Sequence, residues 1–383
     1  MSDTLRYSIE SVDLVFLILL LYFFHGVYRN KIWKKRLLVF KSVLLEKHVL
    51  YKYSGEKHDL WKMLALLSAP RLFYLLIYYP GNIDSDCSFC IQDFFSVFTP
   101  YSVHLGDGMI SNHHPVLHTL LYGGFMYLGD CIGSQNLGVF CYMVLQVLFI
   151  NGAIVLLCKK IIERGYLRYA NLLLLFYTFM PIYSLWSIEM AKDQLFSGCL
   201  LWYVWQLWMI VESKGKYLTD VKHILFHGLI LFLVCATKNQ GIYIVLICGM
   251  VLCCFYRRRI LPIMSSYILS LFCFVYLYQG FLFTTLDVHP AGRQEAMGYM
   301  FQQTARYVKY HLDDVTEEER IAIDRVIPFS ILAAKYNPVY QDDVKFCSRE
   351  FCGQIVSEDD YKQYQKVWLE MCLTTERSCV MKM

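Results

Sequence analysis

Residues 137–160 read LGVFCYMVLQVLFINGAIVLLCKK. The part from 137 to 158 has no charged side chain and ends on Lys159 and Lys160. A helix crosses a bilayer in roughly 17–25 residues, so this run is long enough to span one. Runs of the same kind recur on both sides of it. Together they predict eight spans, at 13–29, 63–79, 137–158, 169–187, 195–212, 222–237, 241–256 and 260–283. Composition agrees, with 57% hydrophobic and 18% charged residues. Soluble domains sit near 45–50% and about 25%. The expected fold class is an all-α membrane protein, a multi-pass helical bundle.

Charge sets the expected direction. Arg29, Lys31, Lys34, Lys35 and Arg36 follow the first span, and Lys159, Lys160, Arg164 and Arg168 follow the third. Lys214, Lys216 and Lys222 follow the fifth, and Arg257 to Arg259 follow the seventh. Placing all four clusters in the cytoplasm satisfies the positive-inside rule and puts the N-terminus and the tail after Thr284 outside. The net charge of +4 comes from these flanking cations, so it gives no case for a nucleic-acid partner. Residues 1–13 are polar and mixed in charge, unlike a signal peptide. Residues 1–62 read as a first span and a basic cytoplasmic segment lying on the anionic leaflet. Residues 63–284 read as the membrane core, and 285–383 as an extracytoplasmic helical tail. Thr316 to Glu319 is a capping-box sequence, predicting a helix through about Val326.

The unusual residues fall in one outer loop. Between Gly81 and Asn136 stand four histidines and five aspartates, with no lysine or arginine. An apolar run within it, Val116 to Leu128, is short for a span and reads as a helix lying at the outer surface. Asp84 and Asp86 could hold a divalent cation, or one could act as a base tuned by the other. The same Gly-Asn-Ile-Asp-Ser-Asp stretch is also good turn chemistry. His113 and His114 precede Pro115, a residue suited to a helix start. His114 and His118 are four apart and would share a helix face, able to contact substrate or, with a third ligand, zinc. Cys87 and Cys90 make a C-x-x-C that reads as a disulfide or a metal pair, without a second pair at zinc-ribbon spacing. The other cysteines lie largely in apolar runs, where cysteine behaves as a small hydrophobe.

Two outer turns break the charge rule with one lysine each, Lys192 beside Asp193 and Lys238 beside Asn239. A lysine at the end of a span often snorkels to the interface. Two of them at the surface that carries the aspartates also suit a lipid-linked phosphate. Arg71, in the middle of a span, calls for a polar interior partner such as Glu189.

The order of these features resembles the N-terminal half of the GT-C superfamily, the multi-pass glycosyltransferases that use polyprenyl-phosphate sugars. A span closes on Tyr-Tyr-Pro-Gly at 78–81, Asp84 and Asp86 follow, then His-His-Pro-Val-Leu-His-Thr-Leu-Leu at 113–121, then Tyr127-Leu128-Gly129 and a new span. In the protein mannosyltransferase and aminoarabinose transferase branch, a similar His-Pro-Pro-Leu element starts an interfacial helix. From about residue 60 to 370 the chain is also similar to an uncharacterised family of bacterial, mostly Gram-positive, membrane proteins. That likeness is carried by Met190 to Phe196, Lys238 to Tyr243, Gln302 to Arg306 and Tyr336 to Pro338. Members of that family usually continue with further spans, so the end at Met383 reads as shortened.

The resemblance implies an inverting transferase at the outer face of a bacterial cell membrane. Its donor would be a polyprenyl-phosphate-linked sugar, and its acceptor a cell-envelope glycan or protein. Asp86, with Asp84 beside it, is the expected base or holder of Mg or Mn. His113, His114, His118, Asp193 and Asn239 are expected to contact substrate. Lys192, Lys238 and Arg306 would face the lipid phosphate. The competing reading is a lipid-linked sugar flippase or transporter that breaks no bond. An inactive relative or scaffold is a third.

Overall fold

The computed structural model describes residues 57–97, 110–290 and 292–373. The predicted span at 13–29 lies outside these residues. Most described residues are helical, and they divide into two compact units. One takes the chain up to Gly81 together with Met143–Glu189. The other takes Asn82–Tyr142 and everything from Met190 onward.

The first unit contains α1 (Lys57–Ile77), most of α4 (Gln135–Glu163), α5 (Leu167–Phe179) and α6 (Pro181–Ser187). The sequence reads 169–187 as a single span, but the chain bends by 66° between α5 and α6. The cause is local. In a continuous helix the Tyr177 carbonyl would accept from the N–H of residue 181, and Pro181 has none. Arg71 supplies the missing donor, its guanidinium reaching the Tyr177 oxygen at 2.8 Å and the Leu67 oxygen at 2.5 Å. The mid-span arginine therefore caps the end of a neighbouring helix, a role the expected Glu189 partnership did not anticipate. Asn151 also donates to Ser68 at 3.0 Å within this unit. Replacing Arg71 by Met is expected to lower stability by about 2–3 kcal/mol, the scale of a charged hydrogen bond to a buried acceptor. In an R71M/P181A double variant part of that loss should return, because alanine in place of Pro181 restores the N–H. Thermal unfolding in detergent measures both, and strictly additive losses would show that the two residues are not coupled.

In the second unit the supposed long loop contains two helices, α2 (Ser85–Phe94) and α3 (Val116–Cys131). They pack very closely, and a Cβ at Gly123 would stand 2.1 Å from the Phe94 ring, so only glycine allows this approach. The C-x-x-C lies on α2. Its two thiols are free and buried, not joined in a disulfide. Further along come α7 (Lys192–Glu212), α8 (Val221–Thr237), α9 (Gly241–Phe255) and α10 (Ile260–Phe272). The last of these continues as wider π turns over Cys273–Leu282. Deep polar contacts tie α7, α8 and α10 together. The Tyr203 and Tyr267 hydroxyls lie 2.8 Å apart, and His227 Nδ1 lies 2.7 Å from Gln206 Oε1.

Among the described residues, four helices are long and apolar enough to cross a membrane: His58–Ile77, Gln135–Glu163, Lys192–Glu212 and Arg257–Thr285. The bent α5–α6 pair makes a fifth if taken as one span. At about 1.5 Å per residue, α8 and α9 fall short of a hydrocarbon core of about 30 Å. The chain is thus an all-α membrane protein, with fewer full-length spans among these residues than the apolar runs predict.

The tail forms its own core. Helices α11 (Gln294–Tyr310), α12 (Glu317–Asp324), α13 (Phe329–Lys335), α14 (Asp342–Lys345) and α15 (Glu358–Leu373) bury Phe301, Ile323, Ile327, Leu332 and Tyr364 against one another. The capping box opens α12 as expected, with Thr316 and Glu319 each bonding the other's backbone. A short parallel pairing of β1 (Ile110–Ser111) with β2 (Val288–His289) belongs to the same unit.

Candidate functional site

Three helices begin at one place. Asp86 lies in the first turn of α2, Lys192 is the first residue of α7, and His114 stands just before α3. Unpaired N–H groups give every helix N-terminus a partial positive charge, and anions are favoured there. The Lys192 ammonium joins the three elements, donating to Asp86 Oδ2 at 2.5 Å and to His114 Nδ1 at 3.2 Å. An ammonium has three N–H bonds. The third has no partner among the described residues, and the pair is only partly covered, with Lys192 29% and Asp86 35% exposed.

Electrostatics follow from this contact. Burial works against ionisation of Asp86, yet the Lys192 hydrogen bond and charge outweigh it and hold the carboxyl below its ordinary value. His114 accepts through Nδ1, so its proton sits on Nε2 and the ring is neutral. Burial, and then the Lys192 charge, push its pKa down to about 3. Burial brings His113 to about 4 and His118 to about 4.

The two aspartates have different tasks. Asp84 is the N-cap of α2, accepting from the Ser85 N–H at 2.8 Å, while its own N–H reaches the Met190 carbonyl at 3.2 Å. Asp86 alone touches Lys192. The expected His114–His118 helix face does not form, because Pro115 is the N-cap of α3 and leaves His114 outside the helix. His118 is fully buried, stacks on Tyr122, and lies 2.8 Å from the Thr237 carbonyl through Nε2. It thereby anchors the turn that carries Lys238. Lys238 pairs with Asp193 at 2.6 Å and sits over the Phe196 ring. Asn239 is exposed beside it. Arg306, half-buried on α11, makes no hydrogen bond or ion pair with the Asp86 group.

Other members of the site escape a sequence reading. The Tyr278 hydroxyl, on the π turns, accepts the Leu117 N–H at 2.7 Å and so satisfies a free donor at the start of α3. From the tail, Glu295 comes within 3.6 Å of His113 Nδ1. Glu295 also pairs with Lys345 at 3.0 Å, and Lys345 with Asp342 at 2.8 Å. Burial opposes the charge on Lys345, but the two carboxylates raise its pKa. Local motifs could not reveal these partners, which lie far away in the chain.

No group of three His, Cys, Asp or Glu side chains able to hold a metal occurs among the described residues. Asp84 is engaged in capping and Asp86 already has an ammonium against it. These side chains fit a divalent cation poorly.

The low histidine pKa values predict acid sensitivity. The unfolded chain binds protons to these rings from about pH 6.5 downward, whereas the folded protein resists until about pH 4. Stability from this source is full above about pH 6.5 and is lost as pH falls below it, by about 2 kcal/mol per histidine at pH 5. Melting temperatures of the detergent-solubilised protein between pH 7 and 5 check this. His118→Phe should flatten the slope.

Fold and site together define a polytopic helical membrane protein with an Asp–Lys–His group gathered at helix N-termini. The family model of DUF6020, described as a family of unknown function, matches residues 98–380, and the chain belongs to that family. Neither the curated proteins nor the solved structures contain a match. His113, His114, His118, Lys192, Asp193, Lys238, Asn239 and Arg306 lie within the matched residues, while Asp84 and Asp86 precede them.

Proposed function

We propose that the chain is a membrane glycosyltransferase of GT-C type. It would transfer a sugar from a polyprenyl-phosphate donor to a cell-envelope acceptor at the outer face of a bacterial cell membrane. The observation that carries this reading is the Lys192 ammonium, placed at three helix N-termini with one N–H to spare. A lipid-linked phosphate is the ligand such a place suits best.

In this reaction the acceptor oxygen attacks the sugar C1 and the C1–O bond to phosphate breaks. The bonding pair leaves on the phosphate oxygen, where Lys192 and Lys238 balance the developing charge. The acceptor proton passes to Asp86. In the resting protein Lys192 holds Asp86 as a weak base. When the donor arrives, phosphate competes for the ammonium and the freed Asp86 becomes more basic as the reaction needs it. His114 keeps Lys192 in place throughout, and Asp84 keeps the first turn of α2 in place.

A labelled polyprenyl-phosphate hexose incubated with the protein in lipid nanodiscs tests the reading. Sugar transferred to an acceptor, and lost in an Asp84→Asn, Asp86→Asn double variant, is the expected result. Undiminished turnover in that variant would sink the assignment, and movement of intact donor across a vesicle membrane without bond cleavage would favour a flippase.

A further inference from the structure

Two tail stretches marked by the sequence, Gln302 to Arg306 and Tyr336 to Pro338, take no part in the Asp86 group. They meet each other instead. The Gln302 Nε2 donates to the Asn337 carbonyl. Beside this contact opens a cleft of roughly 440 Å³ lined by Gln302, Pro338, Val339, Tyr340, Gln341 and Asp342. Its wall is mostly polar, and its size is that of a small-molecule site.

Three features point to its ligand. With Nε2 fixed on the Asn337 carbonyl, the Gln302 Oε1 faces the other way, and this oxygen is buried without a hydrogen-bond partner among the described residues. A buried acceptor without a donor is costly, and a turn of the Gln302 side chain toward the cleft would let a ligand hydroxyl satisfy it. The second feature is Tyr340, 53% exposed at the edge of the cleft. Asn337 Oδ1 accepts the Val339 N–H at 3.0 Å and turns the chain so that Val339 and Tyr340 stand outward. An exposed phenol offers an apolar face for C–H groups and a hydroxyl at its rim. The third is Asp342, a carboxylate in the cleft wall whose ammonium partner, Lys345 at 2.8 Å, is shared with Glu295. Amide, carboxylate and ring together suit a molecule rich in hydroxyls, and two carboxylates on one ammonium disfavour an anion.

We propose that this cleft binds a neutral saccharide, with its hydroxyls on Gln302 and Asp342 and a pyranose face on Tyr340. That the saccharide is the acceptor rests on the transferase reading; the binding itself does not. The cleft and the Asp86 group are linked contact by contact, from Asp342 through Lys345, Glu295, His113 and His114 to Lys192.

Saturation-transfer NMR on the full chain in lipid nanodiscs, without lipid donor, tests the site with chitotriose, maltotriose and α-mannobiose as probes. Saturation of at least one probe is expected. Tyr340→Ala and Gln302→Met should each weaken binding about tenfold at unchanged melting temperature, as removal of an anchoring contact does. Tyr340→Phe should retain most of it. No saturation of any probe, or binding that survives both substitutions, overturns the proposal. Oligosaccharide binding without any transfer from a lipid donor would instead overturn the transferase reading and leave the cleft standing.

Discussion

In the proposed reaction, Asp86→Asn should reduce sugar transfer by about a thousandfold, within the range for removal of a general base. Asparagine keeps the size of the side chain and can still accept from Lys192, but it cannot take the acceptor proton. Thermal stability should change by no more than about 1 kcal/mol, because a partly exposed ion pair contributes little. Asp84→Asn is the matched control. Asparagine caps a helix as well as aspartate does, so α2 should start as before and transfer should fall only a few-fold. Radiolabelled donor assays on the two single variants separate the roles. Equal losses would show that Asp86 has no special place in the chemistry.

Lys192→Met is the second large effect. It should lower transfer by about a hundred- to a thousandfold, the scale for loss of a preorganised group that stabilises charge in a transition state. It also has a signature apart from rate. With the ammonium gone, Asp86 loses the hydrogen bond and charge that chiefly oppose burial, so its pKa rises, and His114 loses the second largest cause of its depression. The acid limb of any residual activity should therefore move to higher pH. A pH–rate profile measures this, and an unmoved limb would mean that Lys192 does not set the charge state of Asp86.

Much of this site could be read from sequence because it broke a rule. Lys192 and Lys238 stood out as cations on the wrong side of the charge pattern, and Lys192 does pair with the acidic motif. The motif itself supported two readings, turn and chemistry. Asp84 follows the first as a helix cap, while Asp86 stands against Lys192. The His114–His118 pairing failed for a reason also present in the sequence: Pro115 starts the helix rather than sitting inside it. Glu295, Lys345 and Tyr278 could not be placed, since tertiary packing alone brings them near. Among the spans, long apolar runs were legible as helices. The break at Met180 was not, because hydropathy counts Pro181 as one more residue and says nothing of the carbonyl it strands.

That carbonyl has a consequence for the history of the chain. A proline at 181 is tolerable while a guanidinium from α1 reaches the Tyr177 oxygen, and a buried guanidinium at 71 is tolerable while such an oxygen waits for it. Each residue is the other's excuse. In relatives the two positions should therefore change together, with an apolar residue at 71 accompanying any residue other than proline at 181, across a separation of more than one hundred residues.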